Sequence, residues 1–132
     1  MIRPRIGIDT SVLVRLITGE PPDAFARCVE RLNDLAVSGA EIFASNQVIG
    51  EAYIAVQHHY HVSESDARSE ISKALTSGLV APLNGNDVIA ALEVSDGPGL
   101  FDRLIAEDYT RAGLEVLTLD RKMAALPDVQ RL

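Results

Sequence analysis

Four acids stand where a carboxylate can do chemistry as well as face water. Asp9 follows the apolar stretch Arg5-Ile6-Gly7-Ile8 without a gap, and Asp120 follows the apolar, strand-like run Glu115 to Leu119 in the same way. In an open parallel sheet, ligands gather beyond the carboxyl ends of the strands, and both acids stand at such an end. Each also has a purely structural reading, because aspartate is a preferred helix N-cap and a helix is expected after each. Glu51 is a third candidate: on a helical wheel it lies about 40° outside the apolar arc that holds Val48 and Ala55, at the edge of the buried face, where it can reach a cleft. Its alternative is a solvated helical glutamate. Asp102 is the fourth, in the first turn of a helix behind Asp96-Gly97-Pro98-Gly99, where the helix dipole alone favours a carboxylate.

The elements that must position these acids alternate between strand and helix. Arg5 to Ile8 reads as a strand, and Val12, Leu13, Leu16 and Ile17 give the following segment helical spacing. Pro21-Pro22 opens a second helix over 22–38, with Phe25, Cys28 or Val29, Leu32 and Leu35 or Ala36 inward, closed by Gly39. Ile42-Phe43-Ala44 makes a second strand, and a helix runs from Asn46 to about Tyr60. Ser63, with Asp66 three residues on, caps another helix to about Ser77. Leu79 to Leu83 predicts a third strand that Pro82 helps to end. Asn86 caps a helix to about Glu93, and a further helix spans about Leu100 to Ala112. Glu115 to Leu119 is the fourth strand, Asp120 begins a short helix to about Leu126, and Val129 to Leu132 adds an edge strand. Strands separated by helices imply right-handed crossovers and a parallel sheet covered on both faces, a three-layer α/β domain.

Composition agrees with one soluble globular domain. The chain has 132 residues, 47% of them hydrophobic and 23% charged, enough to bury a real core. Lys and Arg number 12 against 19 Asp and Glu, a net charge of −7, which argues against non-specific nucleic-acid binding through a basic surface. An RNA substrate stays compatible, because cations held by gathered carboxylates would face the phosphates in place of lysines. The single cysteine, Cys28, rules out an internal disulfide and a Cys-rich zinc site. The apolar run near the N-terminus is broken by Asp9 and Arg15, so neither a signal peptide nor a membrane span is expected, and the expected location is cytoplasmic. His58, His59 and His61 point in diverging directions and are read as groups at a helix C-terminus, not as zinc ligands.

The segments Gly7-Ile8-Asp9-Thr10-Ser11, Ser45 through Glu51, Asp102-Arg103-Leu104-Ile105-Ala106 and Leu117-Thr118-Leu119-Asp120 resemble, in order and spacing, the motifs of PIN-domain ribonucleases, particularly the small VapC-type toxins. The resemblance spans nearly the whole chain and departs at Glu107 and Asp108, where small residues are more typical. It implies an α/β/α PIN-like fold with a mostly parallel central sheet. It also implies a pocket formed by Asp9, Glu51, Asp102 and Asp120 that holds Mg²⁺ or Mn²⁺ and hydrolyses single-stranded RNA. A small antitoxin protein is the implied partner, and a homodimer is expected from the resemblance together with Tyr53, Val56 and Tyr60, read as surplus apolar surface on one helix.

Four neighbouring carboxylates suit this chemistry physically, since hard divalent ions take oxygen ligands and the acids cannot all stay ionised without a cation. Thr10 and Thr118 are candidate hydroxyls orienting Asp9 and Asp120, and Ser45 is a candidate pocket hydroxyl. Arg15, Arg103, Arg121 and Lys122 lie within a few residues of the acids and are candidates for RNA phosphate contacts, with solvated surface charge the alternative. Two rivals remain: a PIN-fold nuclease of RNA processing outside any toxin pair, and a non-catalytic PIN-like binding module. A haloacid dehalogenase-type phosphohydrolase is disfavoured, because its second aspartate would fall at Ser11.

Overall fold

A computed structural model describes residues 3–132. Strand β1 (Arg5–Gly7) leads into helix α1 (Thr10–Thr18), then α2 (Pro22–Val37), β2 (Glu41–Ala44), α3 (Asn46–Tyr60) and α4 (Glu64–Leu75). After these come β3 (Ala81–Pro82), α5 (Asn86–Glu93), α6 (Leu100–Arg111), β4 (Val116–Thr118), a 3-10 turn at Met123–Ala125 and β5 (Val129–Arg131). Local chemistry sets most of these boundaries. Asp9, Ser45 and Ser63 cap α1, α3 and α4 by accepting the backbone N–H three residues on, and Pro22 starts α2 where a missing N–H costs nothing. Gly19, at φ 68°, ends α1 in the left-handed conformation and donates to the Arg15 carbonyl.

Every ladder is parallel: Ile6 lies opposite Ile42, Phe43 opposite Ala81, and Val116 opposite Val129. This is the expected three-layer α/β/α arrangement, with two differences in the strands. Among the described residues the hydrogen bonds divide the strands into a three-stranded section, β1-β2-β3, and a two-stranded section, β4-β5. The third strand is also shorter than its apolar run predicts, because Pro82 has no N–H to donate; Leu83 makes the last bond, to the Ala44 carbonyl at 2.8 Å. The helix expected from Asp120 to Leu126 shrinks to the 3-10 turn, and Gly85 takes the cap position expected of Asn86.

The main core gathers Leu13, Ile42, Ile49, Val56, Ile71, Val80, Val88 and Leu104, and a smaller one gathers Ala106, Val116, Met123 and Val129. Helix α6 belongs to both, with Leu100 and Leu104 in the first and Ala106 in the second. Burial of a leucine side chain contributes roughly 1.5–3 kcal/mol, so Leu100 and Leu104 anchor the first two turns of this helix. The reading of Tyr53 and Val56 as surplus surface is corrected here: they are 7% and 1% exposed and belong to the main core, while Tyr60 is 42% exposed. On α6, Ile105 and Tyr109 are exposed, while the Phe101 ring lies partly against Gly50 of α3.

Candidate active site

Asp9 leaves β1 and becomes the N-cap of α1. Its Oδ1 accepts from the Ser11 hydroxyl at 2.6 Å and from the Val12 N–H at 3.2 Å, and among the described residues Oδ2 has no protein donor. These donors stabilise the charged form, and the Ser11 hydroxyl first among them holds the carboxyl below the ordinary aspartate range. Asp120 is arranged in the same way beyond β4: Oδ1 accepts the Lys122 and Met123 N–H groups at 2.8 and 3.3 Å, while the Thr118 Oγ1 accepts the Asp120 N–H at 3.0 Å. The cap and the site readings of these two acids are therefore compatible, since capping engages only one oxygen of each.

Glu51 is tied to the first helix across the fold. The Thr10 hydroxyl donates to its Oε2, and Gln47 Nε2 makes a longer contact of 3.4 Å with Oε1. Thr10 thus orients Glu51 and not Asp9 as expected, and the hydroxyl on Asp9 belongs to Ser11, to which the sequence assigned no part in the pocket. Asp102, half-buried in the first turn of α6, accepts no hydrogen bond among the described residues. Burial first, and the negative Asp120 second, push its carboxyl above the usual range. Thr10 links the Asp9 end of α1 to Glu51, Asp120 is near enough to Asp102 to act on its charge, and Gly50 and Phe101, the neighbours of Glu51 and Asp102, are in contact.

Among the described residues no three His, Cys, Asp or Glu side chains are arranged to enclose a metal ion. Nor does a basic side chain neutralise them, because the one ion pair among the described residues joins Lys73 to Glu70 at 3.1 Å on α4. An acid group held ionised, another destabilised by burial and by its acidic neighbour, and an all-oxygen donor set together fit a hard divalent cation. The candidate RNA contacts divide. Arg15, Arg121 and Lys122 are exposed. Arg103 is engaged, with Nε on the Pro98 carbonyl at 3.0 Å and Nη2 on the Asp96 carbonyl at 2.9 Å, pinning the loop before Asp102. Ser45 serves as the cap of α3 through Val48 N at 3.2 Å. A groove of about 410 Å³ between α5 and α6 holds none of the four acids.

One polar cluster nearby went unrecognised in the sequence. Buried Asn46 and half-buried Asn84 converge through their Nδ2 atoms on Glu107 and Asp108. Its sequence signal was the pair of acids at positions where small residues are more typical.

The chain matches the family described as PIN domain over residues 6–129 and belongs to that family. PIN domains are generally nucleases, so the class is that of hydrolases acting on nucleic acid. Comparison with individual curated proteins finds no significant match.

Proposed function

We propose that this protein is a metal-dependent endoribonuclease that cleaves single-stranded RNA, and that it acts as the toxin of a toxin–antitoxin pair, as a homodimer. What supports the catalytic part is the PIN-family match together with Asp9 and Asp120 standing beyond β1 and β4, and the lack, among the described residues, of an ion pair on any of the four acids. The toxin assignment and its small antitoxin partner rest on the motif resemblance to VapC-type toxins; the homodimer rests on that resemblance and on the exposed Ile105 and Tyr109 of α6.

Asp9, Glu51, Asp102 and Asp120 would hold Mg²⁺ or Mn²⁺, ions that prefer oxygen donors. When bound, such an ion supplies Lewis acidity, polarising the phosphodiester and making water a better nucleophile. The chain's own residues set up the reaction. Ser11 and the Val12 N–H keep Asp9 ionised and fixed in orientation. Thr10 orients Glu51, and Thr118 with the 120–123 turn orients Asp120. Exposed Arg15, Arg121 and Lys122 are available to RNA phosphates flanking the acids.

Asp9→Asn should abolish cleavage of single-stranded RNA by the purified protein, and EDTA should abolish it in the parent, with activity restored by Mg²⁺ or Mn²⁺. Undiminished cleavage in excess EDTA, or by the Asp9→Asn protein, overturns the catalytic assignment. Expression in a host without any partner should arrest growth; harmless expression of an enzyme active in vitro favours an RNA-processing role outside a toxin pair.

A further inference from the structure

Helices α3 and α6 carry two of the four acids, Glu51 and Asp102, and they meet along a seam fixed at two points. At the first point Asn46, 4% exposed, donates from Nδ2 to the Leu104 carbonyl at 3.1 Å and to Glu107 Oε1 and Asp108 Oδ1 at 3.0 Å each. Asn84 Nδ2 holds the same two carboxylate oxygens at 2.8 Å. Asn46 Nδ2 has only two hydrogens for its three acceptors, and its Oδ1 is buried with no partner. A buried amide group left unsatisfied is costly, and an apolar residue at this place would avoid that cost. What the amide adds is directional: it fixes where the second and third turns of α6 lie relative to the start of α3.

At the second point the seam closes on a glycine. A Cβ at Gly50 would lie 2.8 Å from Phe101 Cζ and 2.9 Å from Cε2, so the ring occupies the space that any other residue would fill. Glu51 and Asp102 are the next residues along the two helices. A change in the spacing at Gly50 therefore alters the helix separation one residue from each of the two acids.

We propose that Asn46 and Gly50 are positioning residues that set the separation of the Glu51 and Asp102 carboxylates. Asn46 locks α6 lengthwise, and Gly50 lets the two helices approach closely where the Phe101 ring packs, one residue from each acid. This inference rests on the reading of the four acids as a cation-binding pocket. Groups that hold metal ligands in place are stringent, since carboxylates displaced by a fraction of an ångström no longer match the coordination distances of a hard ion.

The test is Mn²⁺ binding to the purified full-length chain, measured by calorimetry in the absence of RNA. Gly50→Ala is expected to fold, because alanine favours the helix and the 37% exposed Phe101 ring can swing outward. It should bind Mn²⁺ about tenfold more weakly, the scale seen when groups supporting metal ligands are lost. Phe101→Ala added to Gly50→Ala should recover most of that loss by freeing the space. Asn46→Ser should also weaken binding. Ile71→Val, a core change on α4 distant in sequence from the seam, serves as the control for lowered stability and should bind as the parent does. Parent-like affinity in Gly50→Ala and Asn46→Ser overturns the inference, as does a loss of equal size in Ile71→Val. A parent protein that does not bind Mn²⁺ overturns the proposed function and this inference with it, so the two failures are distinguishable.

Discussion

Asp9 and Asp102 have opposite electrostatic situations, and each has its own consequence for pH. The Ser11 hydroxyl and backbone donors lower the Asp9 value below an ordinary 3.8, so its stabilising contribution is present above that pH and is lost as pH falls through the folded value. Burial and Asp120 raise the Asp102 value above 3.8, so the folded protein holds that proton more readily than the unfolded chain does. The contribution of Asp102 is then fully present below 3.8 and is lost as pH rises through the folded value. At neutral pH the metal-free protein therefore carries an unfavourable charge at this position. Asp102→Asn should leave the metal-free stability unchanged or raise it slightly, by no more than about 0.5 kcal/mol given the screening of a half-exposed group, with the melting temperature moving in the same direction. Millimolar Mg²⁺ should raise the melting temperature of the parent and do so less in the mutant. Thermal melts of both proteins with EDTA and with Mg²⁺ check this, and equal metal-induced shifts would remove Asp102 from the site.

The element that most controls the site is α6 together with the loop before it. Gly97-Pro98-Gly99 forms an irregular loop with Pro98 buried, and the Arg103 guanidinium reaches back from the first turn to hold the Asp96 and Pro98 carbonyls. This explains why Arg103 is a poor candidate for gripping RNA: its donors are already directed at backbone. Arg103→Ala should destabilise the protein by about 1–2 kcal/mol, the scale of two hydrogen bonds from a charged group partly open to solvent. Amide exchange at Gly97 and Gly99 should accelerate in the same variant. Arg121→Ala, at an exposed position, should stay within about 0.5 kcal/mol of the parent. Chemical denaturation and hydrogen exchange separate the two, and an Arg103→Ala protein as stable as Arg121→Ala would show that the loop does not depend on the guanidinium.

Across the whole molecule the two cores differ in size, and their stabilities should differ accordingly. The smaller one has four buried residues, Ala106, Val116, Met123 and Val129, under a two-stranded section whose outer side chains Leu117 and Leu119 are 63% and 75% exposed. Regions with few buried apolar contacts open below the global unfolding free energy. Amides of β4 and β5 should exchange at least about tenfold faster than those of Ile49 to Val56 in α3, a difference of about 1.4 kcal/mol. Native-state hydrogen exchange read by NMR decides it, and uniform protection across both sets would make the molecule one cooperative unit. Because Asp120 stands in the turn between β4 and β5 while Asp9 and Glu51 belong with the larger core, a cation bound by all four acids should slow exchange in the smaller section selectively.

Most helix limits, the order of strands and helices, and the placing of Asp9, Asp120 and Asp102 near element ends were legible in the sequence, because each depends on contacts within about one turn; the segment after Asp120 was the exception, a 3-10 turn where a helix was expected. A side-chain cap reaches three residues, an apolar periodicity repeats within four, and a glycine or proline acts where it stands. The tertiary structure alone decided what lies across the fold. It turned Thr10 toward Glu51, 41 residues away, and placed Ser11 on Asp9. It buried Tyr53 and Val56, which the helical spacing could place on a face without saying whether another element covers that face. It also brought Asn46 onto Glu107 and Asp108, 61 and 62 residues on, so that two acids that looked like departures from a motif became the far side of a helix contact. Periodicity specifies which residues share a face. Which faces meet, and therefore which polar groups must find each other, is settled only when the elements pack and every buried donor and acceptor competes for a partner.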